Sequence, residues 1–177
     1  MPSIRYPRGD KAVMATLSTR SARPCFSPGG GDLSVPPRPT SAVSHTFEEH
    51  TGELRLRVDA PALAELFAEA GRALARLACG DRPPPSPEGE AQPVSLRSHD
   101  RAALLVDWLN DLIFHTEVEG RVFSEFRFTR LTDRDLDAWI RGARAPEART
   151  LVKAATLHDL EISETSHGVS ATVVLDV

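Results

Sequence analysis

Residues 53–80 read ELRLRVDAPALAELFAEAGRALARLACG, and the change of period inside this stretch decides the fold. Leu54, Leu56 and Val58 alternate with Glu53, Arg55 and Arg57, the period of two that marks a half-buried strand. Beyond Pro61 the spacing switches: Leu63, Leu66, Phe67, Ala70, Leu74 and Leu77 recur at helical intervals and should face a core. Asp59 is placed to N-cap this helix, Pro61 is tolerated in its first turn, and Gly80 is placed to end it.

Upstream, a short strand from His45 to Glu49 leads through His50-Thr51-Gly52 into the alternating strand. Downstream, Asp81 to Ala91 carries Pro83-Pro84-Pro85 and reads as a surface loop before a strand at Val94 to Arg97. A second helix follows, capped by Asp100 and ended by Gly120, with Leu104, Leu105, Trp108, Leu109, Leu112 and Ile113 as its apolar stripe. The remainder reads as strands: one with Val122, Phe126 and Phe128, and one in which Leu136, Ala138 and Ile140 alternate with Asp137, Trp139 and Arg141. Leu151 to Thr156, His158 to Ser163, and Val169 to Asp176 after a Ser166-His167-Gly168 turn complete the set. Hairpin-like links favour antiparallel pairing, so the expected class is α+β, an antiparallel sheet with two packed helices.

Of the 14 prolines, seven fall within residues 1–44, together with a Gly29-Gly30-Gly31 run and no periodic apolar pattern. Such a stretch cannot bury enough apolar surface to offset its ordering entropy. The expected organisation is a disordered Pro/Gly/Arg-rich tail over 1–44 and one domain over 45–177. The tail is Arg- and Ser-rich and acid-poor like an organelle transit peptide, but its glycines and prolines argue against the amphipathic helix such a peptide needs.

Net charge is −4, of which the tail contributes +4 (Arg5, Arg8, Lys11, Arg20, Arg23 and Arg38 against Asp10 and Asp32), leaving −8 for the domain. An acidic domain is poorly suited to strong direct nucleic-acid binding, which rests on neutralising phosphates. No apolar run approaches a membrane span, and Cys25 and Cys79 have no CxxC or CxxxC partner. Zinc or disulfide frameworks are therefore not expected, and a reducing cytoplasm is the simplest location.

The chain stops on Thr172-Val173-Val174-Leu175-Asp176-Val177. An apolar strand that ends there holds the Asp176 carboxylate beside the α-carboxylate of Val177. Two such charges repel unless a cation or a proton intervenes. Asp176 as a simply solvated strand-end acid is the plain reading of the same residues. Cys79 lacks an adjacent base and no P-loop or GxGxxG is present, so neither a thiol nucleophile nor an autonomous nucleotide site is expected.

Three segments in order resemble the archease family. The first is His50-Thr51-Gly52-Glu53 ahead of the alternating strand, where family members usually carry His-Thr-Ala-Asp. The second is Leu104-Leu105-Val106-Asp107-Trp108-Leu109-Asn110-Asp111-Leu112-Ile113 with His115 and Glu117-Val118-Glu119-Gly120. The third is Val152-Lys153-Ala154-Ala155-Thr156-Leu157-His158-Asp159-Leu160, followed by the hydrophobic-Asp-hydrophobic end. The resemblance spans about residues 45–177 and leaves the tail unmatched.

It implies a cytoplasmic, non-enzymatic accessory protein of tRNA splicing and RNA repair. Such a protein promotes guanylylation and multiple turnover of the GTP-dependent RNA ligase and associates with tRNA or RNA only through it. It also implies a divalent cation, calcium with magnesium or manganese as alternatives, held by Glu53, Asp176 and Val177. Oxygen-only ligation suits such hard ions. Glu53 is one methylene longer than the usual Asp, and Gly52 in place of Ala loosens the turn that aims it.

Glu49 can supplement that site or be a solvated acid, and His50 can orient Glu53 or fix the turn by a structural hydrogen bond. Lys153, the one lysine of the domain, can pair with the acidic cluster, reach the ligase's nucleotide, or stand in solvent. His158 and Asp159, as strand neighbours, should point to opposite faces, which disfavours an acid–base pair and suits a conformational or partner contact. Asp107, Asn110 and Asp111 read as a solvated helix face or a partner face, and Trp108 as core. From a different class comes a chaperone-like modulator of a tRNA-modifying enzyme such as a tRNA methyltransferase, acting through the helices without metal. A small metal-dependent hydrolase lacks a convincing general base.

Overall fold

The structure, a computed structural model, describes residues 43–50, 52–146, 148 and 151–177. The expected tail lies almost wholly outside the described residues. The elements run β1 (Ser44–His50), β2 (Glu53–Ala60), α1 (Leu63–Cys79), β3 (Gln92–Arg97), α2 (Arg101–Glu119), β4 (Arg121–Leu131), β5 (Asp135–Arg144), β6 (Ala154–Thr165) and β7 (Gly168–Asp176). The α+β architecture with two helices is present, and its strands form two antiparallel sheets, ordered β1-β2-β7-β6 and β3-β5-β4.

Alternation does what the sequence implies in β2, where Leu54, Leu56, Val58 and Ala60 turn into the core and Glu53, Arg55, Arg57 and Asp59 turn away. The core is shared by both sheets and both helices, with Leu56, Phe67, Leu104, Trp108, Leu136, Ile140 and Leu175 fully enclosed. Each large apolar side chain enclosed this way stabilises by roughly 1.5–3 kcal/mol. Trp108 satisfies its one polar atom there, donating Nε1–H to the Phe67 carbonyl at 3.0 Å. Gly71 of α1 lets the helix close on β4: a Cβ there would stand 2.7 Å from the Phe126 ring.

The caps divide. Asp100 accepts a hydrogen bond from the Ala103 N–H at 2.8 Å and starts α2 as expected, and Gly120 ends it in the left-handed conformation. Asp59 does not cap α1. The N-cap is Ala62 without a side-chain bond, because β2 continues through Ala60 and keeps Asp59 in the strand, paired with Arg57 at 3.2 Å.

The two strands expected over Leu151–Thr156 and His158–Ser163 are instead one strand, β6, interrupted by a large bulge. Register passes from Thr156 opposite Val174 directly to Glu161 opposite Thr172, so Leu157 to Leu160 stand against a single residue of β7. Asp159 takes φ +48° in this bulge, the one non-glycine positive φ among the described residues. Its carboxylate accepts from Arg55 Nη2 at 3.2 Å. Arg55 lies on β2, beyond β7, so the pair reaches across β7 on the face where Val174, opposite Arg55, is 2% exposed.

Candidate carboxylate site at the end of the four-stranded sheet

At one end of this sheet a single cross-strand row reads His50, Glu53, Asp176, Ala154, each directly opposite the next in register. Directly opposed residues of antiparallel strands put their side chains on the same face, with Cβ atoms about 5 Å apart. The neighbouring pair Leu54–Leu175 points into the core, so Glu53 and Asp176 share the face turned away from the helices. The alternation of β2 and the apolar run of β7 thus bring together two carboxylates 123 positions apart in the chain (176 − 53).

Lys153 joins them. Its Nζ donates to the main-chain oxygen of Val177 at 2.9 Å, and its own N–H donates to the Asp176 carbonyl at 2.8 Å. Asn110 of α2 holds the adjoining edge by bonding both polar groups of Ala155, Nδ2 to the carbonyl at 3.1 Å and Oδ1 from the N–H at 2.8 Å. That bidentate grip anchors the start of β6 and gives an edge strand a partner where, among the described residues, no further strand pairs with it.

Asn110 is therefore no solvated helix residue, and Asp111 beside it is half-buried, with burial pushing its carboxyl above the ordinary range. Asp107 does sit at the surface, where it accepts from the Ser98 hydroxyl. Of the other residues singled out, Glu49 lies opposite Leu54 and so on the sheet face away from Glu53, which removes it from the carboxylate row. Strand alternation decides this: Glu48, one residue earlier, is the acid on the outer face, opposite Arg55. The side chain of His50 lies outside the described residues. Gly52 has φ +80°, a conformation glycine takes freely and other residues rarely, so it suits this turn rather than merely loosening it.

His158 and Asp159 do not point to opposite faces. The left-handed backbone at Asp159 breaks the alternation and brings its carboxylate within 3.6 Å of His158 Nε2. Both are exposed and Asp159 is engaged by Arg55, which makes the pair part of the bulge's anchoring. Arg55 was not legible as a site residue because its role depends on that bulge. Together Glu48, Arg55, Arg57, Asp159, Glu161 and Thr172 line an open polar depression of about 430 Å³ on the same face.

The donor chemistry fits a hard cation in kind: two carboxylates in register and the main-chain oxygen of Val177 beside them, with no sulfur or imidazole needed. Among the described residues no three His, Cys, Asp or Glu side chains converge in a metal-holding group, so such an ion would depend on Val177 as the third donor. Burial pushes the Cys79 thiol up more strongly than Arg82 pulls it down, which disfavours the thiolate. Among the described residues no helix is long and apolar enough to cross a membrane.

Comparison with known proteins finds relatives that cover most of the chain. Residues 45–177 match the Archease protein family (MTH1598/TM1083). The chain is 31% identical over 148 residues to protein archease of Methanosarcina acetivorans, covering 78% of this chain and 99% of that one. It is 30% identical to protein archease of Methanopyrus kandleri, covering 73% and 96%. Protein 1598 of Methanobacterium thermoautotrophicum superposes with a TM-score of 0.58 at 26% identity, over 75% of this chain and 98% of that one. A Thermotoga maritima protein described as an archease and possible chaperone shares the fold, with a TM-score of 0.54 at 22% identity over 73% and 94%. The chain belongs to the archease family.

Proposed function

We propose that this archease is a cytoplasmic, non-enzymatic accessory protein that activates a GTP-dependent RNA ligase by promoting its guanylylation and multiple turnover in tRNA splicing and RNA repair. The observation that carries this reading is the register of Glu53 opposite Asp176, with Lys153 gripping the last residue beside them. Glu53, Asp176 and Val177 would hold a divalent cation, calcium first, with magnesium or manganese as alternatives. Such an ion supplies charge screening where phosphate and nucleophile meet.

The chain's own residues do the positioning. Glu53 and Asp176 are fixed by the β2–β7 ladder, and Lys153 fixes the position of Val177. The exposed sheet end leaves all of them open to a partner's nucleotide site. RNA is then reached through the ligase rather than by strong direct binding.

The test is guanylylation of the cognate ligase with limiting GTP, with and without this protein and with and without calcium. Activation that needs both supports the proposal; a ligase that turns over fully alone contradicts it. A second reading, chaperone-like modulation of a tRNA-modifying enzyme, has one observation in its favour. Phe114 and Val118, four residues apart on α2, are 58% and 64% exposed. Partner solubility that depends on these two residues and not on Glu53 or Asp176 would favour that reading.

A further inference from the structure

The outer face of the β3-β5-β4 sheet carries an isolated aromatic. Ala138 and Ile140 point into the core, so Trp139 between them points outward, and it is 39% exposed. Register sets it between Pro93 of β3 and Arg127 of β4. The other charges of this face are matched: Arg141 with Glu125 at 2.9 Å, Arg130 with Asp135 at 3.0 Å, and Asp137 with the Ser95 hydroxyl at 2.7 Å. Among the described residues Arg127 has no hydrogen bond or ion pair, and Trp139 has no ring contact and no partner for its indole N–H. The second tryptophan, Trp108, is fully buried.

We propose that Trp139 and Arg127 form a contact site for one unpaired nucleotide of single-stranded RNA, the base stacking on the indole and a flanking phosphate pairing with the guanidinium. A flat sheet face that presents an aromatic plate beside a cation suits an unstacked base, as every base has a π-face. The core of a protein interface needs a contiguous exposed apolar patch, and among the described residues of this face Trp139 and Pro93 are exposed whereas Val122 and Ala143 are buried. Charge complementarity points the same way, because Arg127 is the cation of this face with no acid against it, in a domain of net charge −8. A single nucleotide gives modest affinity, compatible with an acidic domain and with delivery of RNA by a partner. The site is independent of Glu53 and Asp176.

The experiment is titration of the full chain with an oligoadenylate of about eight nucleotides, sized to a short single-strand site, read by tryptophan emission and by anisotropy of the labelled RNA. Saturable quenching is expected with single strands and not with a duplex. Trp139→Ala should weaken binding at least about fivefold, the lower end for one lost stack, while the retained Trp108 emission reports an intact fold. Arg127→Ala should reduce the steepness of salt dependence by about 0.7 in log–log slope, one phosphate contact. The basic tail is present in every variant, so binding left unchanged by Trp139→Ala and Arg127→Glu would overturn the proposal. So would absence of quenching, or loss of a captured partner protein in Trp139→Ala without any change in RNA binding.

Discussion

Lys153 holds the end of the chain twice, its ammonium on the Val177 oxygen at 2.9 Å and its backbone N–H on the Asp176 carbonyl at 2.8 Å. The ammonium is exposed, so its bond adds less than about 1 kcal/mol to stability. Its larger effect is on position, since it fixes Val177 beside Asp176. Lys153→Met should therefore unfold at nearly the same denaturant concentration as the parent. Ligase guanylylation in the presence of that variant should fall by about tenfold or more, a loss of about 1.4 kcal/mol. Unchanged guanylylation would leave Lys153 as a surface residue.

Asn110 should matter more to folding than to function. Asn110→Ala removes two hydrogen bonds and strands the N–H and C=O of Ala155 at a packed edge. The expected cost is about 1–3 kcal/mol, read as a lower urea midpoint at constant m-value. Asn110→Asp keeps the acceptor but sets a carboxylate against the Ala155 carbonyl, so it should not rescue.

The bulge separates backbone conformation from pairing. Asp159 sits at φ +48° and accepts from Arg55. Both Asp159→Gly and Asp159→Ala lose an exposed ion pair worth less than about 1 kcal/mol. Only alanine adds the left-handed penalty, so Asp159→Ala should be less stable than Asp159→Gly by about 1 kcal/mol. Thermal unfolding of the two variants side by side decides it; equal stability would mean the backbone relaxes without cost.

Asp111 should make stability depend on pH. Burial raises its carboxyl pKa in the folded state, Glu119 adds to that, and His115 opposes it. A carboxyl with a raised folded pKa contributes stability that is fully present below its unfolded value and is lost as pH rises through the folded one. Asp111→Asn should therefore stabilise at neutral pH, with the gain fading as pH falls into the ordinary carboxyl range. A gain that persisted undiminished at low pH would assign the effect to packing.

Much of this was legible locally. Period-two alternation places Leu54, Leu56 and Val58 inside and Glu53 outside, and Asp100 and Gly120 mark the two ends of α2. Division of the strands into two sheets was not legible, because strand partners such as β2 and β7 are set by long-range packing that periodicity does not encode. The bulge hid for a related reason: three extra residues in β6 read as a break between two strands. The expected cap at Asp59 failed because Ala60 prolonged the ladder. Asn110 was missed because its partners are backbone groups, which look alike at every position. Of the two readings open for Glu49, one step of alternation favours the solvated acid, since it turns the residue to the face away from Glu53.

The most direct test of the carboxylate row is guanylylation of the cognate RNA ligase at limiting GTP with four proteins: the parent, Glu53→Ala, Asp176→Asn, and a chain extended past Val177 by a short Gly-Ser segment. All three changes lie at an exposed sheet end, and matched thermal unfolding would confirm that the fold is kept. If the row and the last residue act together, the parent activates and each of the three variants fails to. Full activation by Asp176→Asn and by the extended chain would contradict a functional site at the end of this sheet.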